Sequence, residues 1–308
     1  MSSSITSPNN TERYHARVIS RQGKRYLVET DDSKQHLCHV RSKALETICG
    51  DRVICQRQNQ SLDVIESIQT RDNQITRLDN FNRQKTVAAN IDHMLIVVAA
   101  LPEFSSLIVD QYLACASLIR CKASLVVNKA ELAYQQSMDV KQITQTYQPL
   151  CEQVIFVSAK LGYGLQSLRH LLNDDYAIMV GQSGVGKSSL INRLLNTQQI
   201  KVSALSDGIQ QGMHTTSHAS AYDVGLGKII DSPGVRSFSP IFAKEDRIVD
   251  GFQEFADFAA DCKFSNCEHL KEPHCAVKEA VDKGQIMPSR YTNYKTLHEQ
   301  HSCQNSFY

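Results

Sequence analysis

The stretch Val180-Gly181-Gln182-Ser183-Gly184-Val185-Gly186-Lys187-Ser188-Ser189 decides the fold. It reads Gly, four residues, then Gly-Lys-Ser. The apolar run Tyr176-Ala177-Ile178-Met179-Val180 precedes it, and Leu190, Ile191, Leu194 and Leu195 follow at helical spacing. Strand, glycine turn and helix in that order make a phosphate cradle. Glycine lets successive backbone N–H groups converge on one anion, and the positive end of the helix adds to the attraction. Lys187 then reaches the β- and γ-phosphates, and the Ser188 hydroxyl coordinates Mg²⁺. A glycine turn that merely links strand to helix is the plainer alternative, but it needs neither Lys187 nor Ser188 in register.

Three further apolar runs precede the cradle: Met94–Ala100, Ala123–Val127 and Val154–Val157. Their spacing predicts parallel strands with helical crossovers, buried on both faces. The second ends in Asn128-Lys129-Ala130-Glu131 and the third in Ser158-Ala159-Lys160. Ligands of such sheets gather at the carboxyl ends of the strands. An Asn-Lys-x-acid tetrad there reads guanine: Asn128 and Glu131 accept from the base edge, the Lys129 stem packs along its face, and the backbone of Ser158-Ala159-Lys160 meets the guanine oxygen. Glu131 stands where this tetrad usually has Asp, so one methylene must be absorbed.

Downstream, Asp207–Thr216 is polar and glycine-bearing, and Thr215 or Thr216 supplies the hydroxyl that a switch loop brings to Mg²⁺, with Thr216 preferred. Two strands, Ser217–Val224 and Lys228–Ile230, are expected around Gly225-Leu226-Gly227. In Asp231-Ser232-Pro233-Gly234, Asp231 holds the Mg²⁺ shell through water and the Gly234 N–H senses the γ-phosphate. The next residue is Val235, which cannot orient water as the Gln of many GTPases does. The motifs therefore run guanine loops, phosphate loop, switches: a circularly permuted order. A helix over Gly164–Leu172 and the short Asn173-Asp174-Asp175 close the join, and the segment after Gly234 hangs directly from the second switch.

That segment carries Cys262-x4-Cys267-x-His269-x5-Cys275. Three thiolates and one imidazole so closely spaced match a closed, structural tetrahedral Zn²⁺ site, on which so small a lobe depends to fold. Helices are expected on both sides: one with Val249, Phe252, Phe255, Ala256 and Ala259 on a stripe, one from Ala276 to Lys283 stopped by Gly284, and a last one capped by Ser289. On that last helix Arg290, Tyr291, Tyr294, Lys295 and His298 either contact RNA or pack inward.

At the other end, residues 1–12 are polar and read as a disordered tail. Short alternating strands from Tyr14 to Ile68 suggest an all-β barrel of the oligonucleotide-binding type. Its Arg17, Arg21, Lys24, Arg25, Arg41, Lys43, Arg52 and Arg57 are candidates for an RNA-facing surface, and the polar stretch Arg71–Asn90 reads as a linker. The expected units are thus a tail (1–12), a barrel (13–72), a permuted α/β GTPase domain (73–240) and a helical zinc lobe (241–308). A net charge of +1 over 308 residues excludes a global field for polyanions. Met1–Asn10 lacks an apolar signal core and no window nears the roughly 20 apolar residues of a membrane span, so the chain reads as cytoplasmic with most of its ten cysteines reduced.

Barrel, permuted GTPase and Cys-Cys-His-Cys lobe, with Gly212-Met213-His214-Thr215-Thr216 and Asp231-Ser232-Pro233-Gly234-Val235-Arg236, resemble the RsgA (YjeQ) family of small-ribosomal-subunit biogenesis GTPases over nearly the whole chain. The resemblance implies GTP hydrolysis stimulated by the 30S subunit late in its maturation, contacts to 16S rRNA, a monomer, and His214 as the residue that positions the attacking water. The competing reading is an RNA-binding scaffold whose shape is set by nucleotide, with incidental hydrolysis. An ATP-using enzyme is a further reading, open because Glu131 replaces Asp.

Overall fold

The structure is a computed structural model that describes residues 12–42, 44–59, 61–78, 83–133, 138–202, 219–231 and 240–305; for 196–202 and 304–305 it describes the backbone alone. Five strands open the chain: β1 (Arg13–Gln22), β2 (Arg25–Glu29), β3 (Gln35–Val40), β4 (Arg52–Gln56) and β5 (Asp63–Ile68). Alternate residues, among them Ala16, Val18, Tyr26, Val28, Cys38, Val53, Cys55 and Ile65, form one buried cluster. This is the period-two pattern of strands with one face inward. The strands are ordered β1-β2-β3-β5-β4, and β4 pairs back onto β1 to close the barrel. The expected oligonucleotide-binding-type barrel is therefore present.

The second layer is a sheet of β8 (His93–Ala99), β9 (Lys122–Asn128), β10 (Val154–Phe156), β11 (Tyr176–Val180), β12 (Ser220–Asp223) and β13 (Lys228–Asp231), ordered β10-β9-β8-β11-β13-β12. All neighbours run parallel except β12. Along β8, Met94, Ile96 and Val98 enter one buried cluster while Leu95, Val97 and Ala99 enter another. A strand covered on both faces must be apolar throughout, so the runs were legible. Helices α1 (Ser106–Leu118), α2 (Ala130–Ala133), α3 (Val140–Tyr147), α4 (Leu165–Leu172) and α5 (Lys187–Val202) make the crossovers. The phosphate-loop strand β11 follows the base-loop strands in sequence yet sits beside β8 in the sheet, as the permuted order requires.

The stretch Arg71–Asn90 is not a linker. It folds as an antiparallel hairpin of β6 (Gln74–Leu78) and β7 (Gln84–Ala89). Ile75, Val87, Ala88 and Ala89 are buried, while Gln74, Gln84 and Lys85 are exposed, and these polar residues hid the strands. Asn90 and Asn73 fasten it: the Asn90 side chain accepts from the Asp72 N–H and donates to the Gly50 carbonyl, while Asn73 exchanges two bonds with the Ile91 backbone.

Arg17 does not join the RNA-facing set. Its guanidinium lies 3.4 Å from the Tyr176 ring centroid and donates to the carbonyls of Gly50 and Asn90, where barrel meets sheet. The same joint holds a Ser20–Ser220 strand pair, an Asp51–Arg71 pair at 2.7 Å and a Lys228–Glu29 pair at 2.6 Å. Arg21, Lys24, Arg25, Arg41 and Arg57 remain exposed and Arg52 half-buried, whereas Lys43 lies outside the described residues.

In the C-terminal part, the stripe from Val249 to Ala259 is two pieces, a 3-10 turn at Ile248–Gly251 and α6 (Gln253–Ala259). The break falls at Phe252, whose φ and ψ of -109° and 78° are not helical, and Gly251 beside it packs closely on α1: a Cβ there would meet Ala114 at 2.8 Å. Two more helices follow, α7 (Ala276–Asp282) and α8 (Pro288–Asn305). The last starts at Pro288, so Ser289 lies in its first turn and is not its cap. Arg290 points inward, with Nη1 2.7 Å from Asp110 of α1 and Nε 2.7 Å from Glu254 of α6. Tyr294 is fully buried, Tyr291 and His298 are half-buried, and of the five residues named on this helix Lys295 alone is exposed.

A buried polar relay pins the permutation join. His93 Nδ1 lies 3.1 Å from Asp175 Oδ2 and Nε2 3.0 Å from Ser124 Oγ, with Lys122 Nζ 3.2 Å from Asp175 Oδ1. The serine is fully buried, so this Ser-His-Asp geometry has no access to a substrate and is structural. Burial holds the His93 imidazole below its ordinary value, against the pull of Asp175, with Lys122 and Glu152 adding opposing influences. The unfolded chain therefore takes up the proton first, and stability is lost as pH falls through about 6.5. Thermal unfolding followed between pH 7.5 and 5.5 should show a steeper loss for the native chain than for His93→Gln; identical slopes would show that His93 does not carry it.

Candidate nucleotide site and metal centre

The phosphate loop turns between β11 and α5 as the sequence dictates. Gly181 and Gly186 have φ of +132° and +97°, and a Cβ on Gly186 would collide with the side-chain nitrogen of Asn128. Lys187, 5% exposed, donates at 2.6 Å to the carbonyls of both Gly181 and Gln182. Its ammonium is thus parked against the carbonyls of the loop itself. Val185 is buried, Ser188 is half-buried in the first turn of α5, and Ser183, Gly184 and Ser189 are exposed.

Asn128 ends β9 and is 1% exposed. Its Nδ2 donates to the Val185 carbonyl at 2.8 Å and its Oδ1 accepts from the Ala159 N–H at 3.1 Å, so one side chain ties three predicted loops together. Lys129, at φ +56°, reaches the carbonyls of Leu101 and Gly184 at 2.7 and 2.8 Å. Ser158 is buried and its Oγ accepts from the Leu161 N–H at 3.0 Å, bending the chain so that Ala159 and Lys160 face the cleft. The Leu101 carbonyl is the partner that sequence reading missed. A loop carbonyl leaves no compositional trace.

Asn128, Lys129, Glu131, Leu132, Ala159, Lys160, Gly186 and Ser189 line one cleft of about 340 Å³. Within it Glu131 Oε2 is shut from solvent and has no hydrogen-bond partner among the described residues. A buried carboxylate oxygen left so costs free energy, and two adjacent N–H donors on a planar ring relieve it. The guanine edge offers such donors and the corresponding adenine edge does not. Glu131, in the first turn of α2, therefore puts into the cleft an acceptor that such a pair of donors would satisfy.

Asp231 ends β13, beside β11 in parallel register. His214, Thr215, Thr216, Ser232, Pro233, Gly234 and Val235 lie outside the described residues.

The metal quartet comes together. The ligand atoms of Cys262, Cys267, His269 and Cys275 lie within 4.8 Å of one another. The Cys262–Cys275 sulfurs are 3.9 Å apart, and His269 Nδ1 is 3.6 Å from Cys262 Sγ and 3.3 Å from Cys275 Sγ. A tetrahedron with Zn–S near 2.3 Å and Zn–N near 2.0 Å has edges of about 3.8 and about 3.5 Å. Burial, with the neighbouring thiols adding to it, pushes the Cys267 thiol up to about 12, and burial keeps the His269 imidazole below its ordinary value. Three sulfurs and one imidazole nitrogen at these separations fit one tetrahedral cation. The cluster can hold one metal ion.

Residues 68–240 match the model of the RsgA GTPase family. The chain belongs to the RsgA GTPase family. It is 39% identical over 292 residues to the small ribosomal subunit biogenesis GTPase RsgA of Saccharophagus degradans, covering 91% of this chain and 85% of the relative. With the protein of the same name from Haemophilus influenzae it shares 38% identity, over 92% of this chain and 83% of the relative. The crystal structure of YjeQ from Thermotoga maritima superposes with a TM-score of 0.74 at 30% identity, over 94% of this chain and 98% of that one. YloQ, described as a circularly permuted GTPase, gives 0.74 at 22% identity over 97% and 99%, a likeness of fold. The RsgA GTPase family hydrolyses GTP, and this member is a GTP-hydrolysing enzyme of permuted fold.

Two substitutions probe the cleft. Glu131→Gln should weaken GDP binding by about 10- to 100-fold, the worth of a hydrogen bond to a charged group, and erode preference over ADP in competition titrations. Gly186→Ala should abolish binding of either nucleotide while the circular dichroism spectrum is retained.

Proposed function

We propose that this enzyme binds GTP across Gly181–Ser189, Asn128–Glu131 and Ser158–Lys160 and serves maturation of the small ribosomal subunit, the process named for its relatives. The observation that carries the nucleotide choice is the orphaned Glu131 carboxylate in the cleft beside the phosphate loop. Lys187 neutralises charge on the β- and γ-phosphates. The Gly234 N–H senses the γ-phosphate, and Ser188 and Thr216 would hold Mg²⁺, with Asp231 holding its shell through water; when bound, the ion would offset negative charge on the phosphates. Water attacks the γ-phosphorus, the bond to the β-bridging oxygen breaks, and GDP and phosphate leave. His214 positions that water.

In this reading the units are a barrel (13–72), the GTPase domain (73–240) and the lobe (241–308), acting as a cytoplasmic monomer. The exposed Arg21, Lys24, Arg25, Arg41 and Arg57 of the barrel contact 16S rRNA. The metal is one structural Zn²⁺, because three thiolates and an imidazole close a tetrahedron and leave no place for water. Intrinsic turnover is slow because Val235 cannot orient water, and the 30S subunit accelerates it.

Single-turnover hydrolysis of GTP with and without purified 30S subunits tests this. Stimulation is expected, and His214→Ala should lower the stimulated rate by about 100-fold or more without changing nucleotide affinity. Equal rates with and without subunits would favour a nucleotide-shaped scaffold; full stimulation of His214→Ala would remove its catalytic role.

A further inference from the structure

Helix α8 serves two parts of the chain from adjacent positions. The Tyr291 hydroxyl donates to the His269 carbonyl at 2.7 Å, and the Tyr294 hydroxyl donates to the Glu268 carbonyl at 2.5 Å. One turn on, His298 Nε2 lies 3.2 Å from the Glu268 carboxylate. Residues 291, 294 and 298 share one stripe of the helix. Together the two tyrosines hold the peptide on each side of the metal ligand His269, which itself sits in the left-handed region at φ +58°. Fixing both peptides fixes the direction in which the imidazole leaves the backbone.

The residues just before these tyrosines look the other way. Arg290 meets Asp110 and Glu254, and the Asn293 amide donates to Asp110 Oδ2 at 2.6 Å and to Ser106 Oγ at 3.1 Å. Asp110 is fully buried in α1, a helix packed on the GTPase sheet. A shift of α8 by an ångström would break these bonds and the tyrosine bonds together, since neither set survives beyond about 3.5 Å.

We infer that α8 is a strut between the GTPase core and the metal centre: Tyr291 and Tyr294 are positioning residues for the metal loop, and Asp110 is their anchor in the core. Retention of the metal therefore depends on residues of another domain that touch no ligand. This rests on the zinc reading above. Outer partners that orient ligands typically govern metal affinity by 10- to 100-fold.

The test is the rate at which zinc-loaded full-length protein releases Zn²⁺ to an excess of a chromogenic chelator, with folding checked by thermal unfolding and by binding of a fluorescent GDP. Tyr291→Phe combined with Tyr294→Phe should release zinc about 10- to 100-fold faster. Asn293→Ala and Asp110→Asn should each accelerate release severalfold while GDP binding is retained. Native release rates in whichever of these two variants is folded would overturn the strut, and a native rate in the tyrosine pair would overturn the positioning role. Absence of zinc from the native protein by elemental analysis would sink the zinc reading and the strut with it.

Discussion

One amide side chain holds the nucleotide site in shape. Asn128 stands at the carboxyl end of β9 and bonds the phosphate loop with its nitrogen and the Ala159 backbone with its oxygen. Those partners are 57 and 31 residues away in sequence. Because the side chain is buried, losing either bond would leave a polar group unpaired in a low-dielectric place, at a cost of about 1–3 kcal/mol. The Asn128–Val185 contact also dictates Gly186, since any Cβ there would strike the amide. With both ends of Asn128 engaged in joining loops, the unpartnered acceptor in the cleft is Glu131 Oε2. The side chain that the tetrad reading assigned to the base also joins the loops around it.

The permutation raises a mechanical problem that Asp175 solves. The old end and the old beginning of the domain are joined by three residues between α4 and β11, and so short a join has to be tied to the sheet that it enters. The Asp175 N–H donates to the Leu172 carbonyl at 2.5 Å, its carbonyl accepts from the Lys228 N–H at 3.0 Å, and its carboxylate takes His93 and Lys122. Strands β8, β9 and β13 thus all hold one residue. Gly227 lets the chain pass closely, as a Cβ would lie 2.8 Å from the carbonyls of Leu172 and Asp175. The order of motifs changed, while the pairing of β11 with β8 and β13 that positions the phosphate loop did not need to.

What was legible in the sequence follows from how local the constraint is. The phosphate loop and the metal quartet demand particular residue types within fewer than fifteen positions, so they could be read directly. The parallel strands could be read because burial on both faces forces continuous apolar runs. The β6–β7 hairpin buries Ile75 and Val87–Ala89, but Gln74, Thr76, Arg77, Gln84 and Lys85 make its sequence look like a linker. Arg17 and Arg290 were open to misreading for another reason. A cation in sequence says nothing of whether it will find an aromatic ring, a carbonyl or a phosphate, and their partners Tyr176, Asn90 and Asp110 are distant in the chain. Gly251 did carry a signal, a glycine inside a helical stripe, and its close approach to Ala114 is the physical reason for glycine there.

The charge cluster at the base of α8 shows why polarity sits where apolar packing would be cheaper. Asp110 and Glu254 share Arg290, with the Asn293 amide bonding Asp110 and the Phe252 ring 4.4 Å from the guanidinium. Burial pushes the Asp110 carboxyl up, and Arg290 opposes that shift. Desolvation largely cancels the attraction in such a cluster, and an apolar replacement of similar volume is often neutral or stabilising. Removing one partner alone costs about 3–5 kcal/mol. What the cluster supplies beyond stability is orientation. Phe252, Phe255, Tyr294 and Leu297 form an apolar contact that is nearly indifferent to small rotations of α8, but the Arg290 fork bonded twice to Glu254 and the Asn293 amide bonded to Asp110 tolerate one rotation. That rotation is the one that brings the Tyr291 and Tyr294 hydroxyls onto the carbonyls of His269 and Glu268. The lobe is thereby set against the GTPase sheet by directional bonds.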